Sequence, residues 1–415
     1  MFTCPAPSPP QLPPRDRPRY ELTVRVASGL VRVQGELTVR FQPNQATDRV
    51  VFRLWPNGPK QRQEGASLLV SGIEINGKDV GSRETDPTTL VIPYGIAAHA
   101  TVDVRMAWQL RVPRGTRDRI ALAHGALRLG SFFPILAWDD RRGWVTDPPT
   151  RLLAETSTSP TADFDVHVAV PHGLEAVASG TEVGKDEWRA DAVRDVAVAV
   201  GRFRYTTHLI HTPQPVTVRV AAAGPLVRPH GVLRAAIEAL HRYSRMYGPY
   251  RWRTYTLVAL PDLVDEGIEY PTLVFVGRGD MEKYTVHHET AHQWFYSLVG
   301  NDQARDPWLD EALATWAQAD MDRTFAFQRL KRPAHHVGAP MTFWAGKGRR
   351  YYREVYGGGL TALLSLGSPR KVDCALRLYV ARDAFQIAQP GDLLDALNRV
   401  IPGAERRLRA FGIRR

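Results

Sequence analysis

Two histidines and a glutamate form the pattern His-Glu-x-x-His at His288, Glu289 and His292. On an α-helix of about 3.6 residues per turn, the two histidines lie one turn apart on the same face. Their ring nitrogens can then occupy two corners of a zinc tetrahedron. Glu289 points about 100° away around the helix, a position that suits a general base facing a water molecule on the metal. His287 has no partner at a suitable spacing and is not included.

A third ligand is available in Glu311, which follows His292 after eighteen intervening residues. Gly300 is well suited to end the first helix, and Asp306-Pro307 can begin a second one, with Asp as the N-cap. Glu311 would then lie on the second turn of that helix and face the histidines. Two histidines and one carboxylate leave the fourth position on zinc open for water, as catalytic sites require.

The elements around this motif divide into strands followed by helices. Alternating apolar and polar residues predict strands over 21–26, 35–41, 49–54, 101–111 and 163–170. After about residue 205 the pattern predicts a helix over 230–247 and strands over 254–260, 267–271 and 273–276, the second at a sheet edge because it ends in proline. Mostly helical sequence follows, with breaks at 338–340, 357–359 and 367–369.

This order predicts an α+β fold with three parts. They are a disordered Pro-rich tail over 1–15, an antiparallel, sandwich-like β domain over 16–205 and a mostly helical catalytic domain over 206–415. The aromatic segment 131–140 could either reach the cleft or be a packed loop between strands.

Composition narrows the class of protein. The 415 residues are 44% hydrophobic and 23% charged, as in ordinary globular proteins, with a net charge of +11. That charge could indicate a nucleic-acid or anionic partner, but an arginine-rich solvated surface is the simpler interpretation, so we expect no nucleic-acid partner. Cys4 and Cys374 lie at opposite ends of the chain and predict neither a disulfide nor a thiolate metal site.

Targeting signals leave the compartment open. No apolar run is long enough for a transmembrane helix, and residues 1–10 lack the features of a signal peptide. As it stands, the chain is expected to be cytoplasmic. A Cys followed by a Pro/Ser linker is also how a mature bacterial lipoprotein begins, so a secreted or lipid-anchored cell-surface protein is the alternative. The oligomeric state is not predicted.

The segment 286–314 resembles the zinc signature of the aminopeptidase N and leukotriene hydrolase family, the gluzincin aminopeptidases. It has His-Glu-x-x-His, eighteen residues, and then Glu within Trp-Leu-x-Glu. Upstream, 266–270 resembles the family's Gly-x-Met-Glu-Asn motif, and downstream, 355–359 resembles the segment with its transition-state tyrosine. The resemblance implies a thermolysin-like catalytic domain and a short form without the family's large C-terminal helical domain, hence a more open cleft.

The resemblance also implies roles for individual residues. One zinc ion per chain would be bound by His288, His292 and Glu311, and Glu289 would be the general base. Tyr356 would stabilise the oxyanion, with Tyr351 and Tyr352 as weaker candidates. Glu269, with the neighbouring backbone of Gly267 and Ile268, would bind the free amine of a peptide substrate.

Three departures from the family's pattern matter. Only Glu269 matches in its motif, since Glu266, Ile268 and Tyr270 replace the Gly, Met and Asn. The Lys often found two residues after the tyrosine is Gly358. The family's Pro-Cys-x-Asp-Glu-Pro stretch, near a second amine-binding residue, is replaced by 133–140.

We therefore predict a zinc aminopeptidase that removes N-terminal residues from peptides. Two alternatives stay open: a zinc oligopeptidase or endopeptidase with weak N-terminal preference, and a non-catalytic scaffold that retains the fold.

Overall fold

The computed structural model describes residues 4–8, 11–152, 158–225 and 227–415. Its first half is built of β-sheets and its second half combines one mixed sheet with helices, which confirms the α+β prediction. The exact domain bounds stay a prediction. In the described part, no helix combines the length and apolar character needed to cross a membrane.

The strands of the first half form three sheets of four or more strands. They are β1 Arg19–Val26, β2 Arg32–Phe41, β3 Thr47–Arg53, β4 Ser67–Ile75, β5 Lys78–Asp79, β6 Arg83–Asp86, β7 Thr89–Ile96, β8 Val102–Arg111, β9 Ile120–Ala123, β10 Ala126–Gly130, β11 Ile135–Leu136, β12 Trp138–Asp139, β13 Gly143–Trp144, β14 Ala162–Ala169, β15 Glu175–Ala178, β16 Thr181–Gly184, β17 Glu187–Val193 and β18 Ala197–Gly201, with one short helix, α1 Pro59–Gln63.

The largest sheet has the order β16-β17-β14-β1-β2-β8-β4-β5. In β1, Tyr20, Leu22 and Val24 are buried while the residues between them are more exposed, because successive strand side chains point to opposite faces. Two four-stranded sheets, β15-β18-β10-β9 and β11-β3-β7-β6, and the two-stranded sheet β12-β13 complete the half. The strands predicted from alternation are thereby confirmed. The prediction that this half is antiparallel is wrong at one pair, because β1 and β14 run parallel.

The second half begins with a five-stranded sheet and continues with helices. Its elements are β19 Phe203–His211, β20 Pro215–Ala223, α2 Pro229–Tyr247, β21 Thr254–Leu260, β22 Gly267–Tyr270, β23 Leu273–Gly277, α3 Glu282–Ala291, β24 Gly300–Asn301, α4 Trp308–Asp322, α5 Phe325–Gln328, α6 Met341–Trp344, α7 Gly348–Tyr351, α8 Gly359–Leu364, α9 Pro369–Asp383, β25 Ile387–Ala388, α10 Pro390–Val400 and α11 Ala404–Leu408.

The sheet has the order β19-β20-β21-β23-β22, so β22 is at an edge, as predicted. β21 and β23 run parallel and are almost wholly buried, whereas β22 pairs antiparallel with β23 alone. One backbone edge of β22 therefore faces the cleft beside α3.

The prediction that the first zinc-motif helix runs to Gly300 is wrong. α3 ends at Ala291, and the chain then turns, with Ser297 N donating to the carbonyl oxygen of His292 at 2.9 Å. The apolar residues that suggested further helix, Trp294 and Phe295, are instead buried in these turns.

Two other local predictions are also wrong. α4 begins at Trp308 without a side-chain cap from Asp306. The glycines at 357–359 do not break the helical sequence, because a π-helical turn over Tyr352–Gly358 leads directly into α8. Gly358 and Gly359 are instead needed for close packing, since a Cβ at Gly359 would lie 2.3 Å from that of Ala312 on α4.

The aromatic segment 131–140 packs within the first half rather than reaching the cleft. Phe132 and Phe133 are fully buried and pack edge to face with each other at 5.1 Å. This resolves the open alternative in favour of a packed loop.

The prediction that Cys4 and Cys374 form no disulfide is wrong, because Cys4 is bonded to Cys374 on α9. The described residues near Cys4 run beside α9, where Arg377 donates to the carbonyl oxygen of Pro5 at 2.8 Å. A separation of 370 residues in sequence gave no sign of this proximity. Residues 1–3, 9 and 10 of the predicted disordered tail lie outside the described residues.

Candidate active site and metal centre

The three predicted metal ligands come together where the end of α3 meets the first turn of α4. Nε2 of His288 lies 3.2 Å from Nε2 of His292 and 3.2 Å from Oε2 of Glu311. The third side of this triangle, from Nε2 of His292 to the same oxygen, is 3.5 Å. All three donor atoms therefore surround one common position.

This triangle fits zinc. In a tetrahedron with bonds of about 2.0–2.1 Å to nitrogen and oxygen, neighbouring ligand atoms are about 3.3–3.4 Å apart, close to the three observed separations. His292 is also oriented correctly, because its Nδ1 lies 3.0 Å from the carbonyl oxygen of Phe295. Donation of the Nδ1 proton to that oxygen leaves Nε2 as the free lone pair.

The charge of Glu311 suits a metal ligand. Burial alone would raise its pKa, but hydrogen bonds and charges from His288 and His292 hold the pKa well below its usual range. Glu311 is thus a carboxylate at any ordinary pH. Its neighbour Asp310 accepts hydrogen bonds from the Glu311 amide at 2.9 Å and from Nε2 of Gln303 at 2.9 Å, which fixes the first turn of α4.

Glu289 lies beside this triangle and is only 5% exposed. Its Oε2 is buried and has no hydrogen-bond partner among the described residues, as expected of an oxygen that contacts a water molecule or substrate. Burial raises the pKa of Glu289 well above its usual range, and the charges of Glu269 and Glu311 raise it further. A raised pKa suits a group that accepts a proton and later returns it.

Gly267 allows β22 to approach the base. A Cβ at this position would lie 2.4 Å from Cγ of Glu289, a distance that real Cβ atoms do not show. The absence of a side chain at Gly267 therefore lets the strand edge and the carboxylate share one wall. Ile268, the next residue, is buried on the same strand.

Glu269 extends the cluster of carboxylates along β22. One of its carboxylate oxygens, one of Glu289 and a ring nitrogen of His292 all lie within 4.8 Å of one another. The strand is held in place by Gln293, whose amide accepts from Thr272 N at 2.9 Å and donates to the carbonyl oxygen of Tyr270 at 3.0 Å.

Tyr356 lies on the π-helical turn with its ring stacked near that of His288, at 5.7 Å and 13°. Burial raises its pKa well above the usual value, with the charge of Glu311 adding to the effect, so the phenol keeps its proton. It is therefore a hydrogen-bond donor beside the metal position. Tyr351 is buried behind it, and Tyr352 is 48% exposed.

All eight predicted site residues line one cavity of about 760 Å³. They are Gly267, Ile268, Glu269, His288, Glu289, His292, Glu311 and Tyr356. His287 is absent from it, because its ring points instead at Asp322, with Nδ1 2.8 Å from Oδ1.

The sequence reasoning missed two groups. One is the pair Gln293 and Gln303, which hold the strand and α4 in place; the position of Gln293 directly after the second histidine was the only available signal. The other is the segment Arg117–Arg119, which brings the first half of the chain into the cavity wall. It precedes β9 and carried no motif.

Comparison with known proteins agrees with this geometry. Residues 232–334 match the model of the Peptidase family M1 domain. Aminopeptidase RNPEPL1 of Homo sapiens is 29% identical over 202 residues, which are 41% of this chain and 28% of that protein. Aminopeptidase B of Rattus norvegicus is 36% identical over 87 residues, 20% of this chain and 13% of that protein. The match thus spans less than a third of the length of either relative.

Solved structures share the fold over nearly the whole chain. An M1 zinc metallopeptidase from Deinococcus radiodurans superposes with a TM-score of 0.70 at 20% identity, over 96% of this chain and 95% of that one. A mutant of that type bound to a Tyr-Ser-Ala substrate gives a TM-score of 0.70 at 21% identity, over 95% and 93%. At these identities the likeness establishes the two-domain fold.

Proposed function

We propose that this chain, whose residues 232–334 match the model of the Peptidase family M1 domain, is a zinc-dependent aminopeptidase acting on peptides with a free N-terminus. The observation that carries this proposal is the convergence of three metal donors, a buried base and a second buried carboxylate on one cavity. A non-catalytic scaffold would have no need to retain all of these together.

His288, His292 and Glu311 would hold the zinc ion. When bound there, zinc polarises the scissile carbonyl and lowers the pKa of a coordinated water toward about 7.

Glu289 moves the proton in this scheme. Its unpartnered Oε2 accepts a proton from the attacking water and then passes that proton to the leaving amine. Because Gly267 packs against its Cγ, the carboxylate has little freedom to turn away from the substrate.

Tyr356 and Glu269 act on opposite ends of the first residue of the substrate. The protonated phenol of Tyr356 donates to the oxyanion that forms at the scissile carbonyl. The carboxylate of Glu269 accepts hydrogen bonds from the N-terminal ammonium. A peptide that pairs along the free edge of β22 would present both groups in order.

The test compares peptides that differ only in whether their N-terminus is free or acetylated. We expect release of the first residue from the free peptide, no cleavage of the acetylated one, and loss of activity with a chelator that zinc restores. Equal cleavage of both peptides would instead support the oligopeptidase alternative. Glu289→Gln is the control for contaminating peptidases, since it should bind zinc and cleave neither peptide.

We further propose that the chain works in an oxidising compartment rather than in the cytoplasm. The Cys4–Cys374 disulfide supports this, because structural disulfides persist mainly outside reducing compartments. Of the two expectations from the sequence, the disulfide favours the secreted or cell-surface alternative. It does not favour a lipid anchor on Cys4, since that sulfur is already bonded.

A further inference from the structure

The positive charge of the chain is concentrated in one segment. Residues 323–371 contain ten Lys or Arg and a single Asp or Glu, Glu354, which amounts to nine of the eleven net positive charges. The remainder of the chain is close to electrically balanced. An evenly solvated arginine-rich surface, which the composition suggested, would not be distributed in this way.

Seven of these cations form a surface that we call the basic shoulder. It consists of Arg329, Lys331, Arg332, Lys347, Arg349, Arg350 and Arg353. The single acid, Glu354, is buried beneath it and accepts hydrogen bonds from Arg350 at 2.6 Å and Arg353 at 2.9 Å. Within the described residues, no ion pair or side-chain hydrogen bond engages Arg329, Lys331 or Arg332.

The two parts of the shoulder, 329–332 and 347–353, are contiguous in space. A Cβ at Gly357 would lie 3.2 Å from Cδ2 of Leu330, so the loop packs on the π-helical turn that contains Arg353. Lys347 lies 3.8 Å above the ring of Phe343, and Cζ of Arg350 lies 5.7 Å from the centre of the same ring. The exposed cations Arg329, Lys331 and Arg332 therefore lie on a loop that packs beside the turn with Arg353, which is also exposed.

The shoulder continues the wall of the active-site cavity. Thr315 and Gln318 line the cavity on α4, one and two turns beyond Glu311, so Gln318 is about 10 Å further along the helix axis. Gln318 accepts a hydrogen bond from Nε2 of Gln328 at 2.8 Å, and Gln328 immediately precedes Arg329.

Arg353 and Leu330 complete this wall, since both line the cavity. Arg353 belongs to the shoulder, and Leu330 lies between its residues Arg329 and Lys331. A peptide that extends from the metal donors in this direction would therefore reach the cations of the shoulder directly.

We propose that the basic shoulder binds acidic residues of the peptide substrate on the C-terminal side of the scissile bond. This rests on the proposed function, because that function sets the direction of the peptide. With its ammonium at Glu269 and its first carbonyl at the metal donors, the rest of the peptide extends away from Glu269. Carboxylates there would meet exposed cations, of which Arg329, Lys331 and Arg332 have no ion pair or side-chain hydrogen bond among the described residues, whereas a lysine-rich peptide would be repelled.

The strength of the effect follows from its electrostatic origin. A surface of one sign beside a cleft raises association rates by about 10- to 1000-fold at low ionic strength. The Debye length falls to about 3 Å in 1 M salt, so the preference should disappear there. A preference caused by close packing of particular side chains would survive high salt.

The first experiment uses wild-type enzyme, a leucyl reporter amide and three peptides, Leu-Gly-Gly followed by three Glu, three Gln or three Lys. We expect kcat/KM to be at least about 10-fold higher for the Glu peptide than for the Gln peptide in low salt, with the Lys peptide lowest. If the enzyme hydrolyses the reporter but cleaves all three peptides at equal rates, the inference is overturned and the proposed function stays intact. No hydrolysis of any substrate would overturn the function itself.

The second experiment locates the effect. In the triple variant R329E/K331E/R332E the ratio of kcat/KM for the Glu peptide to that for the Gln peptide should fall to about 1 or below. The matched control K78E/R83E/R111E changes the net charge equally on exposed strand residues outside the cavity and should keep the wild-type ratio. An equal fall in both triple variants would show that net charge alone is responsible and would overturn the proposal.

Other anionic partners are outcomes of the same comparison. Binding of wild-type protein to phosphatidylglycerol vesicles or to single-stranded DNA is measured beside the peptides. If R329E/K331E/R332E abolishes such binding while the Glu-to-Gln ratio stays at the wild-type value, the shoulder serves that partner and the peptide assignment is wrong.

Discussion

The carboxylate of Glu289 is adjacent to the metal donors in sequence but is not one of them. Glu289→Gln keeps the shape and burial of the side chain and removes its ability to take a proton. We therefore expect kcat to fall by about 10²–10⁴-fold while zinc content and thermal stability stay at wild-type values. Turnover and metal stoichiometry measured on the same preparation decide this. Undiminished turnover would show that another group is the base.

Tyr356 tests the oxyanion role. Tyr356→Phe keeps the ring that stacks near His288 and removes the donor, so we expect a loss of about 10²–10³-fold, mainly in kcat. Tyr352→Phe is the matched control, since it removes a phenol from the same turn at a half-exposed position. An effect of Tyr356→Phe on KM alone would move the residue from chemistry to substrate binding.

At the scale of single residues, the sequence predicted the site residues whose positions depend on local spacing along the chain. His288 and His292 had to share a helix face, and Glu311 followed at a fixed spacing of eighteen residues, although the connection between α3 and α4 is longer than predicted. Gln293 and Gln303 were missed because their roles depend on which backbone and side-chain groups lie opposite them in the fold. The residues next to a glutamine in the sequence do not indicate which groups it will contact in the fold.

The position of strand β22 would set the distance between a peptide paired along its free edge and the carboxylate of Glu289. In Gly267→Ala the new Cβ would collide with Glu289, so either the strand or the carboxylate must move. Displacements of about 1 Å can cost on the order of 100-fold in rate, and we expect kcat/KM to fall by roughly 10–100-fold with zinc still bound. Gly81→Ala, where a Cβ meets nothing within 4 Å, is the control and should retain full activity. Full activity in Gly267→Ala would mean that Glu289 relaxes freely.

The connection before α4 contains a buried acid that should respond to pH. Burial raises the pKa of Asp306 to about 7, with the charge of Asp302 adding to the effect and Arg142 opposing it. A carboxyl whose folded-state pKa is raised stabilises the protein at low pH, and this contribution is lost as pH rises from about 4 through 7.

Asp306→Asn removes that dependence. Relative to wild type, the variant should gain on the order of 2 kcal/mol in unfolding free energy between pH 5 and pH 8. Denaturant unfolding of both proteins at the two pH values measures the difference. A gain that is equal at both pH values would show that Asp306 has an ordinary pKa.

Element ends were the least predictable part of the fold. The sequence around Trp294 has helical character, yet the chain leaves α3 at Ala291 because its aromatic side chains pack against the end of α2. Nε1 of Trp294 donates to the carbonyl oxygen of Gly248 at 3.0 Å, a contact between residues 46 positions apart. Conversely, three glycines that suggested a break continue a helix, because segment 328–337 and, at Gly359, α4 approach too closely for larger residues.

The two halves of the molecule meet in the wall of the candidate-site cavity, and no linear pattern in the sequence indicates this meeting. Strand alternation and helix periodicity predicted the α+β order, since each depends on near neighbours. The contribution of Arg117–Arg119 to the cavity depends on docking of one half against the other. Arg142 and Arg305 show the same docking, since they pair across the halves with Asp302 at 2.6 Å and Asp147 at 3.0 Å.

The Cys4–Cys374 disulfide closes nearly the whole chain into one loop. Crosslinks that close long loops stabilise mainly by restricting the unfolded chain, by about 3–5 kcal/mol. The double variant Cys4→Ser/Cys374→Ala should therefore unfold at a midpoint roughly 5 °C lower, while its kcat stays unchanged because neither cysteine lines the cavity. Wild-type protein in dithiothreitol should move to the same midpoint, and the double variant should not respond to the reductant. A wild-type midpoint that is independent of reductant, together with two titratable thiols in the native protein, would show that the cysteines are free and would remove the support for an oxidising compartment.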